Sequence, residues 1–136
     1  MTRRRSKKSV ERSRYREFER VAEHFFEAAR ASMELEYWTA AGVLIVHAAI
    51  AYADALSIKL SGQKSAGEDH EDAVTLIDEV VEGGEEKTRA VNQLRRIIEE
   101  KTRVSYIGDL YGPSETRELW KRLERFREWA RSILGR

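Results

Sequence analysis

From Tyr15 onward the apolar positions fall at Tyr15, Phe18, Ala22, Phe25, Phe26, Ala29 and Met33. Steps of three and four residues place them on one face of an α-helix. The opposite face carries Arg16, Glu17, Arg20, Glu23 and Glu27 and is solvated. The next segment, about Tyr37 to Leu60, has a different pattern. Through Val43, Leu44, Ile45 and Val46 it is apolar nearly all round, which predicts the central and most buried helix. Gly62 stands where a helix C-terminus takes a left-handed residue, and SGQKSAGED reads as the main loop. Asp69 then offers an N-cap, with Glu71 and Asp72 in a first turn where the helix dipole favours acids.

This third helix is expected to run to about Glu82, turning Ala73, Ile77, Val80 and Val81 inward before Gly83 and Gly84 end it. A fourth is expected from Glu85 to about Ile107, burying Val91, Leu94, Ile97, Ile98 and Val104, with Gly108 and Gly112 punctuating its end. Pro113 suits a first helical position because its missing N–H has no intrahelical partner to lose, and Glu115 sits where a capping acid belongs. The fifth helix carries Leu119, Trp120, Leu123, Phe126, Ala130, Ile133 and Leu134 on one stripe. With one proline and no convincing alternating run, no strand is expected. The fold class is all-α: an antiparallel up-and-down helical bundle of about five helices, forming a single domain over residues 15–136.

Charge adds a feature that periodicity does not. The net charge is only +1, yet residues 1–16 hold eight lysines and arginines against one glutamate. Residues 1–14 are therefore expected to be a flexible basic arm. Its Arg3, Arg4, Arg5, Lys7, Lys8, Arg12 and Arg14 are candidates for contacting nucleic acid through counterion release. This opening lacks the apolar stretch that a secretory signal needs. The longest apolar run, AAGVLIVHAAIAYADAL, is interrupted by His47 and Asp54 and reads as too short and too polar to span a bilayer. No membrane partner is expected, and the setting is expected to be cytoplasmic. The chain has no cysteine, so thiol chemistry and cysteine metal sites are excluded.

Candidate chemistry is sparse. Gly62 and Gly67 have the spacing of a phosphate-binding loop, but Glu68 and Asp69 occupy the positions that require Lys and Ser or Thr. The histidines His24, His47 and His70 lie in separate elements without the spacing of a zinc site, so neither a metal nor another cofactor is expected. On the central helix His47 and Asp54 are seven residues apart on one face, with Tyr52 nearby. They read either as a hydrogen-bonded core network or as a polar cleft. In KTRVSYIGDLYG, residues 101–112, Arg103 and Tyr106 are helical neighbours, and Asp109 and Tyr111 follow where the helix ends. An arginine with two tyrosines there can hold a phosphate and stack a base. The other reading pairs Arg103 with Glu99 or Glu100 and uses the tyrosines as packing.

The order of three features carries a resemblance. AAGVLIVHAAIAYADAL, the loop leading into GEDHEDAVTLIDEVV, and the ending Leu-Trp-x-x-Leu-x-x-Phe-x-x-Trp together resemble HEPN domains, the helical family named for higher eukaryotes and prokaryotes nucleotide-binding. The likeness covers roughly residues 15–134. It implies a helical bundle, often a homodimer, often paired with a nucleotidyltransferase, and in many members an RNA-cleaving toxin. Ribonuclease members carry Arg, four to six residues, then His. Arg103 matches the arginine, but Gly108, Asp109 and Leu110 fill the histidine window, and no histidine follows His70. Asp109 would need a strongly raised pKa to act as a general acid or base near neutral pH. The expected function is a non-catalytic HEPN-like module that binds a nucleotide, a nucleic acid or a partner protein. The alternatives are a homodimeric scaffold and an RNA-cleaving enzyme with an atypical site.

Overall fold

The computed structural model describes residues 7–65, 71–106 and 111–136, with Thr102, Ser105 and Tyr106 described by their backbone alone. In chain order the elements are β1 (Lys7–Ser9), a 3-10 turn (Arg12–Arg14), α1 (Tyr15–Glu34), α2 (Trp38–Ser61), β2 (Gln63–Ser65), α3 (Glu71–Val80), α4 (Glu85–Glu99), α5 (Lys101–Tyr106) and α6 (Pro113–Leu134). The all-α bundle is as expected. The start of the third helix expected at Asp69 lies outside the described residues.

Helix α2 is the axis of the fold, and every residue from Ala48 to Ile58 is buried. Its neighbours α1 and α6 pack along it, while α3, α4 and α5 close the remaining sides. Taken over its full 24 residues, α2 is long and apolar enough to cross a bilayer by length and composition, which the shorter run read from the sequence understates. Its apolar surface is instead covered by the other helices. Phe26, Ile45, Leu56, Leu94, Ile97, Leu123 and Phe126 are fully buried at the centre. Burying side chains of this size contributes about 1.5–3 kcal/mol each before conformational entropy is subtracted.

Helix α1 ends by a specific backbone device. The Tyr37 N–H donates to Ser32 O at 2.8 Å and the Glu36 N–H to Met33 O at 3.0 Å, which is the hydrogen-bond pattern of a Schellman motif. Its left-handed position, usually glycine, is occupied by Glu36 at φ 63°. A residue with a Cβ is strained there by about 1–2 kcal/mol. Glu36→Gly is therefore expected to raise stability by about 1 kcal/mol, part of the relief being lost to the freer unfolded chain. Chemical denaturation measures this, and Glu36→Val should move stability the other way.

Two expectations are corrected. Residues 7–14 are seated on the bundle, and a small antiparallel sheet exists where no strand was expected, with Lys7 opposite Ser65, Lys8 opposite Lys64 and Ser9 opposite Gln63. The cause lies at the end of α2, whose last carbonyls need donors. Gly62 adopts φ 71° and turns the chain. The Val10 N–H then donates to Gly62 O at 2.8 Å, and Arg12 Nε donates to Lys59 O at 2.9 Å. Arg3, Arg4 and Arg5 lie outside the described residues.

The second correction concerns the expected helix from Glu85 to Ile107, which is two helices. At Glu100 the N–H turns to Ile97 O at 3.1 Å, a tighter i−3 bond, and α5 restarts from Lys101. The break sets Val104 against α2 at Gly42. A Cβ placed there would lie 2.9 Å from Val104 Cγ1 and 3.1 Å from Tyr111 Cδ2, so only glycine leaves room for this approach. The start of α6 follows the sequence reading: Glu115 Oε1 accepts the Gly112 N–H at 3.1 Å, with Pro113 in the first turn.

Candidate functional site

The kink between α4 and α5 and the start of α6 bring Arg103, Glu100, Tyr111 and Glu115 together. The Arg103 guanidinium pairs with the Glu115 carboxylate, lies 3.8 Å from Glu100 Oε2, and sits 5.3 Å from the centroid of the Tyr111 ring. Tyr111 is buried. Its backbone N–H donates to Thr39 Oγ1 at 3.1 Å and its hydroxyl donates to Glu100 Oε2 at 3.2 Å. Burial raises the Tyr111 hydroxyl pKa, and the neighbouring Glu100 carboxylate raises it further. It is thus a packed hydrogen-bond donor with no tendency to ionise near neutral pH.

A cleft of about 210 Å³ opens beside this group, lined by Arg96, Glu99, Arg103, Glu118 and Arg122 among others. Three arginines face four glutamates across it. Arg103 therefore enters no uncompensated positive site. Its charge is met by two carboxylates, as in the ion-pair alternative read from the sequence. Asp109 and the Tyr106 side chain lie outside what is described, so of the expected Arg-Tyr-Asp-Tyr set the structure joins Arg103 to Tyr111. A larger groove of about 420 Å³ runs between α4 and α6, floored by Ala90 and Trp129 and flanked by Arg89 and Arg125.

His47 and Asp54 do share one face of α2, but they belong to different environments. His47 is exposed and stacks on Phe25 at 5.5 Å between ring centroids. Asp54, two turns on, is buried beneath β2, where it accepts a hydrogen bond from Ser65 Oγ at 3.3 Å and faces Lys64 Nζ at 3.9 Å. The helix face they share is covered at one end and open at the other, so no common cleft forms.

Burial pushes the Asp54 carboxyl up to about 6, against the pull of Lys64 and of Ser65. The folded state therefore holds this proton more tightly than the unfolded chain. The resulting stabilisation is fully present below the ordinary value of 3.8 and is lost as pH rises through about 6. The loss is on the order of 2–3 kcal/mol. Asp54→Asn is expected to flatten the stability change between pH 4.5 and 6.5 (about the span of this titration) as read by urea denaturation. An unchanged slope would show that Asp54 does not titrate there.

Sequence reading named Tyr52 beside His47 and Asp54 but missed its partners, Glu23 and Arg127, in the most connected polar group. Tyr52 is fully buried in α2, and its hydroxyl donates to Glu23 Oε1 of α1 at 2.6 Å. Arg127 of α6 donates from Nε to Tyr52 Oη at 2.8 Å and to Glu23 Oε1 at 3.2 Å, and from Nη2 to Glu23 Oε2 at 2.8 Å. The same guanidinium lies 4.0 Å from the centroid of Phe26, which stacks on Trp120 at 4.6 Å. The available signal was positional: Glu23 borders the apolar face of α1, and Arg127 directly follows the core residue Phe126. This group joins three helices and is internally satisfied.

Of the described arm residues, Arg12 caps α2 and Arg14 pairs with Glu17 at 3.0 Å, while Lys7 and Lys8 stand exposed on β1. Comparison with curated proteins and with solved structures returns no match. The family model described as HEPN domain matches residues 15–133, which runs from the first residue of α1 to the last turn of α6. This bundle, matched over almost its whole length, belongs to the HEPN domain family.

Proposed function

We propose that this chain is a HEPN module that works by binding a protein and does not cut RNA. The observation that carries the reading is the commitment of Arg103, which is paired with Glu115 and Glu100 over the Tyr111 ring in a cleft where acids outnumber bases by one. A polyanion entering there would have to displace two carboxylates from the arginine and then meet their charge. No histidine follows His70 in the sequence, so this segment supplies no side chain that titrates near neutral pH when unperturbed. The exposed apolar side chains of the α1–α2 side support a protein as the ligand.

Purified protein incubated with single-stranded RNA is expected to leave it intact, and a nucleotide panel is expected to leave the melting temperature unchanged. RNA cleavage by the wild type that disappears in Arg103→Ala would overturn the reading. So would a nucleotide that stabilises the wild type and not that variant.

A second reading has one observation in its favour. Lys7 and Lys8 project from β1 into solvent without an ion pair among the described residues, so the arm retains cationic surface for a nucleic-acid backbone. Binding of this kind weakens steeply with salt. Lys7→Ala combined with Lys8→Ala should lower both the affinity and the salt slope, and an unchanged slope would remove the arm from consideration.

A further inference from the structure

The groove of about 420 Å³ between α4 and α6 has the volume of a small-molecule site, and gaps between the helices of a bundle are a usual place for one. Its two walls repeat one pattern. Glu86, Arg89 and Ala90 on α4, and Arg125, Glu128 and Trp129 on α6, are each a pair of opposite charges three residues apart with an apolar residue directly after. The apolar members form the floor. Ala90 is buried, and Trp129 is partly buried and braced by Phe126 at 5.9 Å between ring centroids. Because Ala90 ends at its methyl group, the space beside the indole stays open.

The charges above this floor are uncommitted. Arg14 with Glu17, Glu27 with Arg30 and Glu100 with Arg103 are also opposite charges three residues apart, and they pair at 3.0, 3.2 and 3.8 Å. Arg125 and Glu128 have that spacing, yet neither makes an ion pair or a side-chain hydrogen bond among the described residues, and nor does Glu86. Arg89 leans away to Glu85 at 3.7 Å. We propose that the groove binds a free α-amino acid with a flat apolar side chain, its ring on Trp129, its carboxylate on Arg125 and its ammonium on Glu128. A plain anion, a phosphate included, would meet the two glutamates, and a plain cation would meet the two arginines. A zwitterion matches both signs. Its two charges hang from one carbon, and Arg125 and Glu128 are neighbours on one helix face. Arginine takes a carboxylate through two parallel N–H donors, and a ring against the indole gains beyond the area it buries.

This site stands apart from protein binding and does not depend on it. Titration of the full chain with L-phenylalanine, followed by the tryptophan indole N–H signals in proton NMR, is expected to shift one of the three signals and to saturate. The dissociation constant should be on the order of 1 mM, the affinity open to a ligand of about a dozen heavy atoms. N-acetyl-L-phenylalanine lacks the cation and L-phenylalaninamide lacks the anion, and each is expected to bind about tenfold more weakly. Arg125→Glu and Glu128→Lys, both at exposed positions, should abolish the shift, whereas Lys121→Gln, on α6 outside the groove, should leave it unchanged. Trp129→Phe should keep the binding and remove the signal that moves. A wild type without a saturable shift up to about 50 mM would overturn the site. So would blocked analogues that bind as well as the free amino acid, or both charge variants binding like the wild type. The RNA and nucleotide assays decide the protein-binding reading separately.

Discussion

Gly42→Val is expected to destabilise the bundle by about 3 kcal/mol and to open the cleft at Arg103. The added Cβ would start 2.9 Å from Val104 Cγ1 and 3.1 and 3.4 Å from two carbons of the Tyr111 ring, and valine adds two methyl groups beyond that. Overpacking of this kind costs about 1–3 kcal/mol where neighbours cannot yield, and Val104 is itself stiff at χ1. Gly42→Ala meets the same first contact but recovers about 1 kcal/mol of helix propensity, so its net cost should be about 1 kcal/mol. The strain has one evident outlet. Helix α5 is six residues long, and displacing it carries Arg103 off the Tyr111 ring. Urea denaturation reads the stability, and Tyr111 protection read by hydrogen exchange reads the displacement. Equal stability of wild type and Gly42→Val would mean that α5 does not pack against α2 at this point.

How much of this was legible beforehand depends on the range of the interaction. Local signals were read well. The left-handed Gly62, the Pro113 start and the Glu115 cap are set by backbone groups within four residues, and the apolar stripes of α1 and α6 are set by helical period. The break at Glu100 was not legible, because its use depends on α2 presenting a glycine to Val104 some sixty positions away in the chain. The seating of residues 7–14 was missed for a related reason. Arg12 looks like one charge among many until the end of α2 offers it the Lys59 carbonyl. His47 and Asp54 were placed on one face correctly and given one environment wrongly, since periodicity states direction and says nothing of what covers a helix at each height. Glu23 and Arg127 are a hundred residues apart, and a charged residue at the edge of an apolar stripe is ordinarily solvated.

Arg127→Met is expected to cost about 2–3 kcal/mol, a large effect for a residue on the outer helix. Three hydrogen bonds from one guanidinium tie α6 to Tyr52 of α2 and Glu23 of α1, and its face lies on Phe26. Methionine keeps the stem and the contact with the ring but leaves the Glu23 carboxylate with Tyr52 and a weaker approach from Arg131 at 3.7 Å. Arg127→Lys should recover only part of the loss, because an ammonium cannot meet the carboxylate and the phenol in the planar fork that arginine presents.

The pH dependence separates this ion pair from simple packing. Burial alone would raise the Glu23 pKa, yet the hydrogen bonds from Arg127 and Tyr52 outweigh it and hold the group below its ordinary value of 4.5. The stabilisation is therefore present above that value and is lost as pH falls through the lower folded one. The difference between wild type and Arg127→Met should accordingly be full at pH 7 and shrink below about pH 4. In a double-mutant cycle with Glu23→Gln, the coupling energy should follow the same course. A difference that stayed constant from pH 7 to pH 3 would show that the Glu23 charge contributes nothing to the loss, and would leave the Tyr52 hydrogen bond and the stacking of the guanidinium on Phe26 to account for it.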